Sequence, residues 1–93
     1  MHYKAFAELW KKGYYVTEGV KYGSDFLAYV EDPETCHAKY MVFVAGGEKV
    51  EVSKLVTYER IAESNKKIAV LAWEKDSAVK LITVSQLHIL DSK

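Results

Sequence analysis

Residues 22–40, YGSDFLAYVEDPETCHAKY, decide how this chain is read. Phe26-Leu27-Ala28-Tyr29-Val30 has the aromatic and β-branched character of a strand, and it runs into an acidic turn holding the single proline, Pro33. The turn ends at Cys36-His37, and a second strand-like run, Lys39 to Val44, follows. Paired as a hairpin over about 25–44, the two runs have Tyr29 closing the first strand and His37 opening the second. A phenol and an imidazole then share one end of a sheet, on either side of a short loop. Proton-transfer groups work from such rigid strand ends, within hydrogen-bond reach of a reacting atom.

Outward from this hairpin, composition bounds the rest. Ninety-three residues make one small domain, 1–93, near the lower size at which an apolar core alone stabilises a fold. Apolar residues make up 49% of the chain, and glycine and proline are scarce, so it is globular rather than disordered. No apolar run approaches the roughly 20 residues of a membrane helix, and the N-terminus lacks a signal-peptide core, so an intracellular, non-secreted protein is expected. The one cysteine, Cys36, excludes an internal disulfide and a cysteine-built zinc site. Thirteen basic and thirteen acidic side chains cancel, so nucleic-acid binding would have to come from a local patch. Arg60 is the only arginine.

Before the hairpin, Tyr3, Phe6, Ala7 and Trp10 recur at helical spacing and predict a helix over 2–12 that lays an aromatic face on the sheet. YYVTEGVKYGS, punctuated by Gly13, Gly19 and Gly23, reads as a short strand, a turn and a second short extended piece. After the hairpin, Gly46-Gly47 closes the unit and Lys49 to Val52 reads as a short edge strand. Ser53 is a helix N-cap residue, and Leu55, Tyr58, Ile61 and Ala62 give an apolar stripe to about residue 65. Ile68 to Trp73 is a continuous apolar run of the kind that forms a fully buried strand. Glu74 to Ser77 reads as a polar turn, and Lys80 to Leu90 as a long final strand whose open edge calls for cover or a partner. The order α-β-β-β-β-α-β-β predicts an α/β, nuclease-like domain. A mixed sheet carries a short N-terminal helix and one central helix.

Tyr29, His37 and Lys67 all fall at element ends. Each has an ordinary explanation: a packed strand tyrosine, an exposed loop histidine, a lysine complementing a helix dipole. Their combination, with the residues around them, resembles the tRNA-splicing endonuclease family, specifically its catalytic subunits. The resemblance is carried by Gly13-Tyr14-Tyr15-Val16, Lys21 through Tyr29, Asp32-Pro33, His37-Ala38-Lys39-Tyr40, Arg60-Ile61-Ala62, Ser64 and Lys66-Lys67 before the apolar strand. It covers nearly the whole chain. It implies that Tyr29, His37 and Lys67 are the catalytic trio and that Arg60 is one of the residues clamping a bulged base. Lys67 is taken over Lys66 because the family lysine stands directly before the apolar strand.

The resemblance implies cleavage of precursor tRNA at intron–exon bulges to 2′,3′-cyclic phosphate and 5′-hydroxyl ends, with no metal and no cofactor. The residue types suit this chemistry. Histidine, with an ordinary pKa of about 6.5, can protonate a departing oxygen at neutral pH. Lysine can stabilise charge on the non-bridging phosphate oxygens. Tyrosine, ordinarily near 10, is a weak base unless a neighbouring cation such as Lys67 assists; otherwise it orients the 2′-hydroxyl. Arg60 could stack on a base or grip a phosphate, and seven residues before Lys67 it could face the same side of the helix. Its ordinary alternative is a surface ion pair with Glu59 or Glu63.

Two departures from the family pattern stand out. Family members usually carry a separate N-terminal domain, whereas this sequence starts almost at the helix before the catalytic sheet, so an excised domain or a minimal subunit that depends on a partner is expected. Leu87 occupies the position of the second base clamp, an arginine or tryptophan in the family. The resemblance also implies another endonuclease subunit as partner, in a homo- or hetero-oligomer, through strand 80–90 and the acidic loop 74–77. The location would be cytoplasmic in an archaeon and nuclear in a eukaryote. The main alternative is a non-catalytic structural or RNA-positioning subunit of the same assembly. A metal-dependent DNA nuclease would want an acidic residue two positions before a lysine, and only Asp91-Ser92-Lys93 fits. A plain protein-interaction module would explain the apolar last strand but not the trio.

Overall fold

Alternation along the strands divides the chain into two apolar layers, one on each face of a single sheet. The computed structural model describes residues 2–45 and 50–87. Helix α1 (His2–Lys11) is followed by β1 (Tyr15–Glu18), a 3-10 turn (Val20–Tyr22), β2 (Phe26–Tyr29) and β3 (Tyr40–Ala45). Helix α2 (Val52–Ser64), β4 (Ile68–Lys75), β5 (Ala78–Thr83) and a second 3-10 turn (Val84–Leu87) complete it. The five strands lie in the order β1-β2-β3-β4-β5. All neighbours are antiparallel except β3 and β4, which are parallel and joined through α2. The chain is therefore an α/β domain with a mixed sheet, a short N-terminal helix and one central helix, as its pattern predicts, but with five described strands rather than the six of the expected order.

Successive strand side chains point to opposite faces. Leu27, Met41, Phe43, Ala69 and Leu71 share a cluster with Leu55 and Ala62 of α2, with Tyr58 and Ile61 packed against it. Ala28, Val42, Val70 and Ala72 pack on the other face against Ala5 and Leu9 of α1. Residues 69–72 are buried on both faces, which explains their unbroken apolar run. Phe43 and Tyr58 stack with ring centroids 4.3 Å apart, fixing α2 over β3.

The structure departs from the sequence reading at the edges of elements. Helix α1 turns two of its three stripe aromatics away from the sheet: Tyr3 is 81% and Trp10 65% exposed, whereas Ala5 and Leu9 are buried. A completely buried alanine lets the helix backbone approach the small residues Ala28 and Ala72, which a ring would hold away. Phe6 instead stacks on Trp10 at 6.5 Å and leans on Phe26 at 6.1 Å. The second extended piece before the hairpin is the 3-10 turn Val20–Tyr22. Strand β3 begins at Tyr40, so His37 lies three residues upstream, in the loop, rather than opening the strand.

Residues 50 and 51 are in no strand, and Val52 begins α2, so no edge strand spans 49–52; Lys49 and Gly46-Gly47 lie outside the described residues. Glu51, not Ser53, occupies the N-cap position of α2, in extended conformation and without a side-chain cap. Glu74 and Lys75 belong to β4, leaving Asp76-Ser77 as a two-residue turn with φ of 52° and 66°. Two positive φ values match the right-handed twist of the strands they join. The acidic loop is thus shorter than expected, and the Glu74 carboxylate is held by Lys4 Nζ of α1. The final strand is six residues, Ala78–Thr83, because the chain turns into the second 3-10 segment at Val84. Residues 88–90 of the expected strand lie outside the described residues.

Candidate active site

Three separate segments end in one row across the sheet. Ala28 of β2 faces Tyr40 of β3, and Tyr40 faces Ile68 of β4. The ladder continues one residue further: Lys39 N–H donates to Ala28 O at 3.0 Å, and Ile68 N–H donates to Lys39 O at 3.0 Å. Tyr29, just after Ala28, and Lys67, just before Ile68, therefore flank the chain entering β3. Tyr29 follows Leu27 by two and Lys67 precedes Ala69 by two, which puts both on the α2 face. The Tyr29 hydroxyl accepts a 3.4 Å hydrogen bond from Thr17 Oγ1 of β1.

The loop that brings His37 to the row is built around Asp32-Pro33. Proline at the second position of a turn presets φ, and aspartate at the first satisfies the turn with its own side chain. Asp32 Oδ1 accepts from Glu34 N–H at 2.9 Å, and Asp32 O accepts from Thr35 N–H and Thr35 Oγ1, both at 2.9 Å. Ala38 is buried while His37 is exposed, so the imidazole is open to solvent.

Lys67 is aimed by the end of α2. Lys67 N–H donates to Ala62 O at 2.8 Å, and Lys66 N–H donates to Glu63 O at 3.0 Å. That pair of bonds is a Schellman motif, which needs a left-handed residue at its centre. Lys66 fills that place with φ of 58°. Asn65 Nδ2 donates to Ile61 O at 2.8 Å, and Lys67 Nζ donates to Asn65 O at 3.4 Å. The turn reverses the chain into β4 and points the two neighbouring lysines apart.

Tyr29, His37 and Lys67 line one cavity of about 250 Å³, together with Tyr22, Leu27, Ala38 and Asn65. A phenol, an imidazole and an ammonium thus converge on a space open to solvent. Lys66 and Arg60 do not line it. Arg60 is exposed on α2 and makes no salt bridge among the described residues, neither with Glu59 nor with Glu63. Since α2 stops at Ser64, Lys67 lies beyond the helix, and the two-turn spacing from Arg60 does not set their relation. Leu87 ends the second 3-10 turn. Among the described residues, no three His, Cys, Asp or Glu side chains are grouped to hold a metal ion.

Tyr22 and Asn65 also line the cavity, yet neither is among the sequence-derived candidates. The signal for Asn65 was available in its place at a helix end beside a lysine pair. Tyr22 becomes visible only once the turn at Val20 folds back toward the β4 end.

The sequence profile of the tRNA intron endonuclease catalytic C-terminal domain matches residues 1–81. The chain belongs to this family. Within the tRNA intron endonuclease family it is 39% identical over 71 residues to a tRNA-splicing endonuclease of Saccharolobus solfataricus. The match covers 75% of this chain and 39% of that protein. Proteins of the same name from Saccharolobus islandicus and Hyperthermus butylicus are 37% and 38% identical over 71 residues, with the same coverage. The chain therefore spans well under half the length of these endonuclease relatives.

Proposed function

We propose that this domain is the catalytic module of a metal-independent tRNA-splicing endonuclease. It would cut precursor tRNA at intron–exon bulges and leave 2′,3′-cyclic phosphate and 5′-hydroxyl ends. The observation that carries the reading is the meeting of Tyr29, His37 and Lys67, from three different segments, around one solvent-open cavity. Membership of the family supports the substrate.

In this mechanism the scissile phosphate enters the cavity and the adjacent 2′-oxygen attacks phosphorus. Tyr29 orients the 2′-hydroxyl and, as the phenolate, accepts its proton to become the neutral phenol. The P–O5′ bond breaks as the 2′-O–P bond forms, and the protonated His37 imidazole delivers a proton to the departing 5′-oxygen. Lys67 stands where negative charge grows on the non-bridging oxygens, the task a metal would otherwise perform. Arg60 grips an RNA group outside the cavity. The unpaired edge of β5, which among the described residues pairs only with β4, joins a second endonuclease subunit. No described helix is long and apolar enough to cross a membrane.

The test is cleavage of an intron-bearing precursor tRNA in EDTA, by the chain alone and with a partner subunit, with analysis of the new ends. Wild type is expected to yield cyclic phosphate, and His37→Ala to lose about 10²- to 10⁴-fold in rate, the usual contribution of a general acid. Cleavage abolished by EDTA would overturn the metal-free mechanism. A folded chain that binds RNA and partner without cutting would instead mark a structural subunit.

A further inference from the structure

We propose that Tyr22 is a stacking platform for an unpaired nucleobase next to the cleaved phosphate, a positioning role that rests on the endonuclease reading above. The ring lines the same cavity as Tyr29, His37 and Lys67, yet it is 53% exposed. Among the described residues its hydroxyl makes no hydrogen bond and its ring has no aromatic partner. Other rings are already engaged: Tyr14 meets Tyr40 edge-on at 5.6 Å, and Tyr58 stacks on Phe43. Of the two tyrosines lining the cavity, Tyr29 is half-buried and accepts a hydrogen bond from Thr17, whereas Tyr22 keeps an exposed ring free beside the reaction space.

The support beneath the ring is rigid. Tyr22 N–H donates to Gly19 O at 2.9 Å, Gly23 N–H to Val20 O at 3.2 Å and Ser24 N–H to Gly19 O at 3.1 Å. Ser24 is buried, and its hydroxyl donates to Phe26 O at 3.1 Å. Gly19 packs so closely that a Cβ there would lie 2.2 Å from Ser24 Oγ. Gly23 takes φ of 98° to turn the chain back into β2. A half-exposed aromatic ring on an ordered turn offers contact area at little cost in side-chain entropy.

The chemistry gives this platform a use. Attack by a 2′-oxygen on its own phosphate needs that oxygen in line with the departing 5′-oxygen, and a stacked helical strand does not hold it there. One neighbouring base must leave the stack, and an aromatic face fixed at the cavity rim can hold it out. Proteins that read unpaired RNA use aromatic side chains in this way.

The experiment combines kinetics with a spectroscopic probe, using the chain in whatever assembly cleaves. Precursor tRNA carries 2-aminopurine at each unpaired position flanking the cut in turn. Stacking on a ring quenches this base, and a His37→Ala background keeps the RNA intact during the reading. Tyr22→Leu is expected to raise KM roughly 5- to 150-fold with kcat little changed, the range of one lost base–aromatic stack. It should also relieve quenching at one position. Tyr22→Phe, which keeps the ring, should restore both readouts, and Tyr22→Trp, a larger ring, should leave KM at or below the wild-type value. An unchanged KM in the leucine variant, a phenylalanine variant as impaired as leucine, or a raised KM in the tryptophan variant would overturn the proposal while leaving the cleavage reading intact. A wild-type assembly that does not cleave, or cleaves equally well without His37, would overturn both.

Discussion

The two lysines at the end of α2 should separate stability from activity. Lys66 holds φ of 58° at the centre of the Schellman motif, and Lys67 follows it into the cavity. A left-handed backbone costs an L-residue about 1–2 kcal/mol, whereas glycine adopts it freely. Glycine also gives the unfolded chain more freedom, which removes about 0.4–1 kcal/mol of stability. Lys66→Gly should thus gain up to about 1.6 kcal/mol, with a central value near 0.8 kcal/mol, raising Tm by about 3–6 °C in a domain of this size. Lys66→Ala keeps the strained φ and should stay within about 0.5 kcal/mol of wild type, as surface changes do. Lys66→Pro should lose about 3 kcal/mol or more, because it forbids φ of 58° and removes the N–H bonded to Glu63 O. Urea titrations of the three variants supply the free energies, and precursor cleavage supplies the activity. Cleavage should persist in Lys66→Gly and fall sharply in Lys67→Ala. A glycine variant no more stable than alanine would refute the strain argument, and cleavage lost at residue 66 but kept at 67 would refute the assignment of the site lysine.

Three further outcomes follow from the packing and the titrating groups. Gly19→Ala forces a Cβ to within 3.0 Å of the Phe26 carbonyl carbon as well as onto Ser24, and is expected to lower the urea midpoint by an amount equivalent to about 1–3 kcal/mol. The hydrogen bond from Lys4 holds the Glu74 carboxyl below its ordinary 4.5, so this contact stabilises the fold above that pH and its contribution fades as the pH falls through the lowered value. Denaturation of Lys4→Met and wild type should therefore differ at pH 7 and converge toward pH 2. Burial, with the nearby Asp25 charge second, pushes the Tyr58 phenol above its ordinary 10.0, so the fold favours the neutral ring. That stabilisation is complete below pH 10 and is lost as the pH rises through the raised value, and Tyr58→Phe should blunt the alkaline loss seen in thermal melts.

The convergence at one end of the sheet also accounts for the choice of residue types around it. The ladder from Ala28 through Lys39 to Ile68 fixes where the backbones stand, so Tyr29 and Lys67 reach the cavity with one residue of overhang and His37 with two. Two turns supply that overhang. Asp32-Pro33 closes the loop before His37, and Asn65-Lys66 closes α2 before Lys67. Both turns rest on local hydrogen bonds, which is why they can be built from short polar stretches without a core of their own.

Much of this was legible in the chain itself. The continuous run Ile68–Trp73 has the character of a buried strand, and its centre, 69–72, is buried on both faces; the spacing of Leu55, Tyr58, Ile61 and Ala62 gives a helix with one apolar side. Tyr29, His37 and Lys67 each had an ordinary explanation from local pattern, and only the resemblance to a family singled them out together; the fold places all three around one cavity. What local pattern does not contain is the competition between faces. In α1 the aromatic stripe is the one the sequence shows, but the sheet face opposite buries Ala5 and Leu9 against Ala28, Val42, Val70 and Ala72. Close approach through Ala5 and Leu9 wins, and the aromatics are left exposed. The long apolar tail read as one strand from Lys80, yet the hairpin turn at Asp76-Ser77 starts it earlier and the 3-10 turn at Val84 ends it. The cavity was decided in the same way. Its candidate residue types stand in the sequence, but its membership, with Tyr22 and Asn65 admitted and Arg60 and Lys66 left out, follows from how the folded turns place each side chain. Only long-range packing determines that aim.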